Sequence, residues 1–200
     1  MSVLRNPFEP QVLQDWARKL KYGGVLPWVF PDKKDAAKKL HARSWLTSLP
    51  CSCMYSYGQG PHRTGSIDVI SGLTNLVCSY LGLLESPDAC NVNWYYMQQQ
   101  GITYHADDEK LFGSASGDAL IVSLSIGATM DFRVRLADNG SAAPKPLSLM
   151  HGDLVTMEGR MQSHYVHAVG PGFRKCKDGD DRLNLTWRWI KFHSSLCPCH

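Results

Sequence analysis

Apolar residues recur every three to four positions in two segments of the first half of the chain, and this spacing predicts amphipathic helices. The first segment runs from Gln11 to Tyr22 and ends at Gly23-Gly24, where left-handed backbone angles cost little. The second runs from Ser66 to Leu84, with Ser66 at the N-cap position and Asp68 in the first turn. Both predicted helices therefore have a sequence signal at one end as well as a buried face.

Between these segments the pattern is less regular. Asp32 is a suitable N-cap, and good helix formers follow it toward Leu46 before Leu49-Pro50 interrupts the run, so a further helix is predicted there. Residues 51–65 are rich in Ser, Tyr, Gly and His, which favours an irregular hairpin or loop. A segment of this kind is able to cover a site.

After residue 88 the chain changes to short runs that are typical of strands. These runs are 90–96, 119–127, 130–136, 153–158, 163–169 and 182–192. Strands that follow helices predict an α+β domain, in which the helices pack outside a sheet sandwich or barrel. The periodicity alone does not distinguish one sandwich topology from another.

Length and composition narrow the class of protein. A chain of 200 residues is long enough for one domain with a sizeable core and too short for two separate catalytic lobes. Apolar residues make up 44% of the chain and charged residues 20%, which argues against a disordered or fibrous protein. No apolar run is long enough to span a membrane and the N terminus lacks a secretory signal, so an intracellular protein is expected. Seven cysteines, an odd number with irregular spacing, are then expected to be reduced thiols.

The charge of the chain bears on nucleic-acid binding. A net charge of +3 is too small to attract a polyanion by itself, so any such affinity has to come from local patches. The most basic patch comprises Lys33, Lys34, Lys38, Lys39 and Arg43. A solvated helix face explains the same residues equally well.

A possible metal site is formed by His105 and Asp107 together with His167. His105 and Asp107 are two residues apart, so in an extended segment both side chains project to one face. Two imidazoles and one carboxylate on a single face of Fe(II) leave the other coordination positions free for a cosubstrate and oxygen. His164 and His151 compete with His167 as the third ligand. An alternating strand would place His164 and His167 on opposite faces, so only one of them can face inward.

The run Arg182-Leu183-Asn184-Leu185-Thr186-Trp187-Arg188 alternates polar and apolar residues, which predicts a half-buried strand. Its inward face would carry two guanidinium groups, Arg182 and Arg188. Each guanidinium can bond a carboxylate in a bidentate way, so the pair suits a dianion such as 2-oxoglutarate. An ordinary exposed strand face is the alternative.

Taken together, these motifs resemble the AlkB-type Fe(II)/2-oxoglutarate dioxygenases, which remove alkyl groups oxidatively from nucleobases. The resemblance covers residues from about 90 to 190 and rests on the following matches: Asn93-Trp94-Tyr95, His105-x-Asp107-Asp108-Glu109, Ser123-Leu124-Ser125-Ile126-Gly127, His167 and the Arg-x-Asn-x-Thr-x-Arg strand. It implies a double-stranded β-helix, or jelly roll, with N-terminal helices packed outside and a substrate lid. It also implies Fe(II) and 2-oxoglutarate as cofactors.

The resemblance assigns a role to individual residues. It selects His167, and not His164, as the ligand that joins His105 and Asp107 on the metal. It places Arg182 on the distal carboxylate of 2-oxoglutarate and Arg188 on the carboxylate next to the keto group. Further hydrogen bonds to the same molecule are implied for Asn93, Tyr95, Ser123 and Asn184.

Substrate contacts are implied for five more residues. In the resembled family, acidic residues at the positions of Asp108 and Glu109 reach the exocyclic amine of the target base; an exposed acidic turn is the alternative. The candidates for the ring that stacks on the base are Trp45, Tyr55, Tyr57 and His62. Analogy favours Tyr57, although a tyrosine in a loop often serves only packing. Arg133 and Arg135 alternate on a predicted strand and either meet phosphates or face solvent. The expected partner is DNA or RNA with N-alkylated bases, bound by a monomer.

The tail contains Cys197, Cys199 and His200, which raises the possibility of structural zinc completed by Cys176 or by Cys51 and Cys53. A disordered terminus is the alternative. The expected organisation is a single domain, with helices and a nucleotide lid in residues 1–89, the catalytic jelly roll in 90–192 and a tail in 193–200. Two other functions stay open: a 2-oxoglutarate-dependent hydroxylase of a protein side chain or small metabolite, and a binding module of the same fold without turnover.

Overall fold

Eleven strands in two sheets form the body of the computed structural model, which describes residues 1–31, 41–55, 64–97, 99–138, 145–174 and 181–200. In chain order they are β1 (Ser2–Leu4), β2 (Ala42–Thr47), β3 (Thr64–Ser66), β4 (Ala89–Tyr95), β5 (Ile102–His105), β6 (Ile121–Gly127), β7 (Thr129–Leu136), β8 (Leu147–Leu149), β9 (Leu154–Met157), β10 (Tyr165–Arg174) and β11 (Arg182–Arg188). The larger sheet has the order β1-β9-β6-β11-β4-β2-β3, and the smaller one the order β5-β10-β7-β8.

The helices are α1 (Pro10–Tyr22), α2 (Ser71–Leu81) and the single turn α3 (Met161–His164). A 3-10 turn, Ile67–Ile70, leads into α2, and Ser66 caps it by accepting a hydrogen bond from the backbone N–H of Asp68. The two predicted amphipathic helices and this cap are therefore confirmed. Among the described residues, no helix has both the length and the apolar character that crossing a membrane requires.

The main core lies between α1, α2 and one face of the larger sheet. Leu13 and Leu20 of α1 are fully buried there together with Leu185 and Trp187 of β11. The indole N–H of Trp187 donates to Thr74 Oγ1 of α2 at 3.0 Å, so burial of the ring leaves no polar atom unpaired. This packing directs the other face of β11 toward the smaller sheet.

The predicted helix from Asp32 to Leu46 is wrong over its second part, because Ala42–Thr47 forms β2. This strand pairs with β4 on one side and β3 on the other, and four consecutive residues from Ser44 are buried. A strand covered on both faces loses the alternation that identifies strands in a sequence. Residues 32–40 lie outside the described residues. The first 89 residues thus contribute strands to the larger sheet as well as helices.

The predicted α+β class is confirmed, and the strand predicted at 182–192 is central to it. Over Arg182–Arg188, β11 is paired antiparallel with β4 on one side and with β6 on the other. Two paired neighbours fix both the register and the facing of every β11 side chain. The short strands β1, β5 and β8, of three or four residues each, were not predicted.

Candidate active site

A cavity of about 290 Å³ lies between the two sheets. The polar face of β11 forms one wall: Arg182, Asn184, Thr186 and Arg188 all line it, and none is more than 6% exposed. The opposite wall comes from the smaller sheet and includes His105, Phe132, His167 and Val169. Buried charged groups facing a cavity between apolar layers are the arrangement expected of a small-molecule site.

His105 and His167 are direct cross-strand neighbours. They are paired in the antiparallel ladder of β5 and β10, and their ring centroids are 4.2 Å apart. Residues opposite each other in such a ladder have side chains on the same face. Two imidazoles that are distant in the sequence are in this way held side by side.

Asp107 follows β5 and completes the cluster. One ligand atom from each of His105, Asp107 and His167 lies within 4.8 Å of the others. The Asp107 carboxylate is 3.6 Å from Nε2 of His105 through Oδ1, and its Oδ2 accepts a hydrogen bond from Arg188 at 2.5 Å. The backbone of Asp107 is held as well, because Gln162 Oε1 accepts from its N–H at 2.9 Å. The side chain therefore has a defined position in the cavity.

The electrostatics of this cluster keep Asp107 and His167 in the forms that bind a cation. Burial acts to raise the pKa of Asp107, but the charge of Arg188 and smaller contributions from the two histidines lower it to about 2. Burial lowers the pKa of His167 to about 4, so its imidazole is neutral near pH 7. Metal ions bind ionised carboxylates and neutral imidazoles, and both forms are present here.

The orientation of His105 is set by its other ring nitrogen. Nδ1 lies 2.8 Å from the carbonyl oxygen of Thr103, to which it can donate. In the neutral ring, a proton on Nδ1 leaves the lone pair on Nε2, which lies 3.6 Å from Oδ1 of Asp107. A metal-binding histidine is usually held in this way.

Arg182 is buried at the other end of the polar wall and is only 1% exposed. Its Nη2 donates to Ser125 Oγ at 2.8 Å, whereas Nε and Nη1 have no hydrogen-bond partner within the described ranges. The hydroxyl of Tyr95 faces this guanidinium and interacts with it, and no other partner for the hydroxyl lies among the described residues. Buried donors left without acceptors cost free energy, and an anionic ligand in the cavity would satisfy them.

The strands beside β11 extend the polar wall. Asn93 and Tyr95 of β4 lie opposite Asn184 and Arg182, and Asn184 Nδ2 donates to Ser123 Oγ of β6 at 2.8 Å. Of the predicted cosubstrate residues, Asn93, Ser123, Arg182, Asn184 and Arg188 line the cavity, from the metal cluster at Arg188 to Arg182 at the far end. Tyr95 lies against Arg182 and does not itself line the cavity. The polar residues of three adjacent strands form this wall.

The predicted substrate residues are more dispersed. Asp108 is exposed, and Glu109 is half-buried with its carboxylate facing the Tyr55 hydroxyl. Arg133 and Arg135 lie on the outer face of the smaller sheet, where Arg133 donates to the carbonyl of Gly170 and Arg135 lies 4.3 Å from the ring centre of Tyr104. None of these four residues lines the cavity. Tyr57 lies outside the described residues, as do the four lysines of the basic patch.

The two other candidates for the third metal ligand, His164 and His151, lie away from the metal cluster. His164 is exposed at the end of α3, whereas His167 lines the cavity. His151 is buried in a turn, where its Nδ1 accepts a hydrogen bond from the N–H of Gly127 at 3.1 Å. This buried contact of His151 was not predicted from the sequence.

Sequence reasoning missed several residues of the site. His41 stacks on Tyr95 with ring centroids 4.6 Å apart, and its Nε2 lies 2.9 Å from Asn93 Oδ1. Asn91 lines the cavity one pleat away from Asn93, and the alternation Asn91-x-Asn93-x-Tyr95 would have identified it. For His41 and for Gln162 no local signal exists, because both reach the site only through tertiary packing.

Residues 1–188 match the model of the 2OG-Fe(II) oxygenase superfamily. The alpha-ketoglutarate-dependent dioxygenase alkB homolog 3 of Homo sapiens is 31% identical over 159 residues, which are 74% of this chain and 50% of that protein. The DNA oxidative demethylase ALKBH2 of Arabidopsis thaliana is 28% identical over 120 residues, 50% of this chain and 36% of the relative. An RNA-directed RNA polymerase of Lolium latent virus is 32% identical over 135 residues, 67% of this chain and 7% of the polymerase.

The solved structure of OsALKBH1 has a similar fold. It aligns with a TM-score of 0.66 at 20% identity and covers 94% of this chain and 96% of that chain. This likeness confirms the predicted jelly-roll fold with helices outside it. The chain spans half the length of the human relative and less of the other curated relatives described above.

Proposed function

Because the chain belongs to the 2OG-Fe(II) oxygenase superfamily, as an AlkB-type member, we propose that it removes alkyl groups oxidatively from nucleobases in DNA or RNA. The observation that carries this proposal is the shared cavity, in which two histidines and an aspartate adjoin a wall with two buried arginines. The family supplies the cofactors, Fe(II) and 2-oxoglutarate. The residue assignments below are part of the proposal.

Fe(II) would be held by His105, Asp107 and His167. The donor set fits this ion, since two neutral imidazoles and one carboxylate on one face are typical of non-haem iron in oxygenases. Arg188 holds the carboxylate and balances its charge before a metal arrives. An ion held by these three residues would be accessible from the cavity that they line.

2-Oxoglutarate would occupy the polar wall beside the iron. Arg182, whose Nε and Nη1 have no partner among the described residues, would bind the distal carboxylate, with Tyr95 donating its hydroxyl hydrogen. Arg188, at the metal end, would contact the carboxylate next to the keto group. Asn93, Ser123 and Asn184 would complete the hydrogen bonds, so that few lone pairs of the dianion stay unsatisfied.

When bound, the iron and its cosubstrate supply the oxidation: O2 is consumed, 2-oxoglutarate becomes succinate and CO2, and the N-alkyl carbon leaves as an aldehyde. The protein binds and orients the reactants and keeps bulk water out of the cavity. No general base is assigned, because the hydroxylated N-alkyl group can break down to the free base without one.

Nucleic acid as the substrate class is supported by the relatives, one of which is named a DNA oxidative demethylase. Glu109 and Asp108 are proposed to accept hydrogen bonds from the exocyclic amine of a flipped base, for which carboxylates are suitable acceptors. Arg133 and Arg135, on the outer face of the smaller sheet, are proposed to meet phosphates. Tyr57 is proposed to stack on the base.

The test follows the loss of the methyl group from modified bases by mass spectrometry. The protein is incubated with Fe(II), 2-oxoglutarate and matched DNA and RNA oligonucleotides that carry N1-methyladenine, N3-methylcytosine or N6-methyladenine. We expect loss of a methyl group from at least one of these bases, with formaldehyde and succinate formed in equal amounts. Asp107→Ala serves as the control that lacks a metal ligand.

Two results would count against the proposal. Steady succinate production without demethylation of any oligonucleotide would indicate a protein or metabolite acceptor. If the protein, loaded with iron, formed no succinate with or without oligonucleotides, a binding module of the same fold would be indicated instead.

A further inference from the structure

A second group of metal-binding side chains lies outside the cavity, where the tail packs against the loop that follows β2. One ligand atom from each of Cys51, His193, Cys197 and Cys199 lies within 4.8 Å of the others, and Cys53 adjoins them. These residues come from two segments that are far apart in the sequence. Of the motif predicted in the tail, His200 is not a member of the group, His193 takes its place, and Cys176 lies outside the described residues.

The distances within this group match a metal site. Nδ1 of His193 is 3.6 Å from Sγ of Cys51, 3.6 Å from Sγ of Cys53 and 3.5 Å from Sγ of Cys197. The sulfur atoms of Cys51 and Cys197 are 3.7 Å apart. In a tetrahedral zinc site, bond lengths of about 2.3 Å to sulfur and about 2.0 Å to nitrogen place sulfurs about 3.8 Å apart and sulfur about 3.6 Å from nitrogen.

Disulfide bonding does not explain the cluster. The six described cysteines are all free, and a sulfur separation of 3.7 Å is well beyond the length of about 2.0 Å of a disulfide. Cys51, Cys53 and Cys197 are also buried, at 4%, 0% and 4% exposure. Disulfide bonds therefore do not account for the several buried thiols that lie around one imidazole nitrogen.

The backbone around the cluster is already fixed in place. Thr47 Oγ1 donates to the carbonyl of Cys51, and the indole N–H of Trp45 donates to the carbonyl of Cys53, both at 2.9 Å. On the tail side, the N–H of Ser194 donates to Sγ of Cys53 at 3.3 Å. Ligands held in this way bind a metal with little further ordering.

We propose that this cluster is a structural zinc site, in which Cys51, His193, Cys197 and a fourth thiolate, from Cys199 or Cys53, bind one ion. Three sulfurs and one nitrogen form a closed donor set with no position left for a substrate, which is typical of structural and not catalytic zinc. Thiolates also favour zinc over the harder ions that carboxylates select. The site is separate from the proposed iron ligands and shares no residue with them.

The position of the site indicates what the ion would stabilise. The loop that it would anchor continues to Tyr55, whose ring stacks on Trp45 at 4.9 Å and lies 5.4 Å from the guanidinium of Arg188. Tyr55 lines the active-site cavity. The zinc would therefore hold one wall of the substrate cavity by tying it to the tail after β11.

Zinc content and zinc coordination test the proposal without reference to activity. The full chain is purified as the Asp107→Ala variant, so that the proposed iron site does not retain zinc. The zinc content is then measured by inductively coupled plasma mass spectrometry. We expect one zinc per chain and an X-ray absorption spectrum with Zn–S distances of about 2.3 Å. Cys51→Ala and His193→Ala should lose the metal, whereas Cys90→Ala, a buried thiol of β4, should keep it.

Zinc-free protein as purified, zinc surrounded only by nitrogen and oxygen, or a folded His193→Ala protein with full zinc content would overturn the proposal. If the two ligand variants do not fold, strong chelation of the Asp107→Ala protein gives the second measurement. It should remove the zinc and lower the melting temperature, because a metal bound only by the native state stabilises that state. An unchanged melting temperature after zinc removal would also contradict a structural role.

The fourth ligand is identified by two milder variants. Cys199 is exposed and Cys53 is fully buried, and each is replaced separately by serine. The variant that lowers the sulfur count in the absorption spectrum from three to two identifies the ligand. If both Cys53→Ser and Cys199→Ser leave three sulfurs on the ion, the two thiols replace each other. Three sulfurs in the double variant would then show that the proposed donor set is wrong.

Discussion

Nη2 of Arg188 lies 2.5 Å from Oδ2 of Asp107, and neither side chain is more than 4% exposed. This ion pair connects the metal cluster to the strand that carries the predicted cosubstrate residues. A buried pair is stable only while both charges are present, since removing one partner leaves the other without compensation. One contact therefore determines the position and the ionisation of the proposed iron ligand.

Arg188→Met should destabilise the metal-free protein by about 3–5 kcal/mol, because it leaves the Asp107 carboxylate buried and unpaired. Asp107→Asn should destabilise the protein for the same reason, because it leaves the Arg188 guanidinium buried and unpaired. The double variant should lose much less stability than the sum of the two single losses, because it leaves no unpaired charge. Urea unfolding at pH 7 with a chelator present measures all three.

Arg160→Met is the matched control, since Arg160 is exposed and outside the cavity. Its free energy of unfolding should change by no more than about 0.5 kcal/mol. Additive effects of Arg188→Met and Asp107→Asn would show that the two groups do not interact in solution.

The facing of β11 was predictable from the sequence, because period-two alternation with two arginines on one side leaves few alternatives. Its partners were not predictable from periodicity. The pairing of His105 with His167 depends on β5, a strand of only four residues, and on a register that tertiary packing sets. The resemblance to a family, and not the spacing, related these two residues to each other.

The residues that hold the site in place were less accessible to sequence reasoning. Gln162 reaches the backbone of Asp107 from the short helix α3, and nothing around Gln162 in the sequence indicates this. The tail shows a similar limit, because the Cys-x-Cys pattern was visible while its histidine proved to be His193. β2 was missed because burial on both faces removes the alternation on which strand prediction depends.

Arg182→Met should raise the KM for 2-oxoglutarate by about 30-fold or more. Truncating one partner of a buried hydrogen-bonded charge pair costs about 2 kcal/mol or more, which corresponds to that factor. Ser125→Ala removes only the hydrogen bond to Nη2 of Arg182 and should have a smaller effect. Succinate formation measured over a range of 2-oxoglutarate concentrations gives both values. A normal KM for Arg182→Met would place the dianion elsewhere.

Gln162→Leu should weaken metal binding about 10- to 100-fold, the range seen when groups that orient metal ligands are removed. The substitution leaves the Asp107 N–H buried without an acceptor, so a loss of stability of about 1–3 kcal/mol is expected as well. Mn(II) titration followed by electron paramagnetic resonance measures the affinity. Gln99→Leu, at an exposed position, is the control. Equal affinities in the two variants would show that Gln162 does not position Asp107.

Glu109→Gln should raise the KM for a methylated oligonucleotide by about tenfold, since one hydrogen bond to a base edge is worth on the order of 1–3 kcal/mol. Asp108→Asn should have a smaller effect, because Asp108 is exposed and Glu109 lies against Tyr55. Burial and the nearby Asp107 charge raise the pKa of Glu109, so its contribution should weaken as the pH falls. Steady-state assays of both variants compare the KM for oligonucleotide with that for 2-oxoglutarate. An equal rise in both constants would contradict a specific contact with the base.

The metal-free protein should lose stability as the pH falls from 6.5 to 4, and His41 should account for part of that loss. Burial lowers the pKa of His41 from 6.5 to about 4, so in this interval the unfolded chain binds a proton that the folded protein does not. His167 acts in the same direction, with its pKa also lowered to about 4. The contribution of Asp107, whose pKa is about 2, is lost only as the pH falls below about 4. His41→Gln should therefore reduce the loss between pH 6.5 and 4 by about 1–2 kcal/mol, less than the full shift implies because His41 as a residue is only partly buried. Urea unfolding at half-unit pH intervals measures the slope, and His164→Gln, at an exposed histidine, should leave it unchanged. A slope that is the same in His41→Gln and in the unmodified protein would mean that His41 does not titrate differently in the folded and unfolded states.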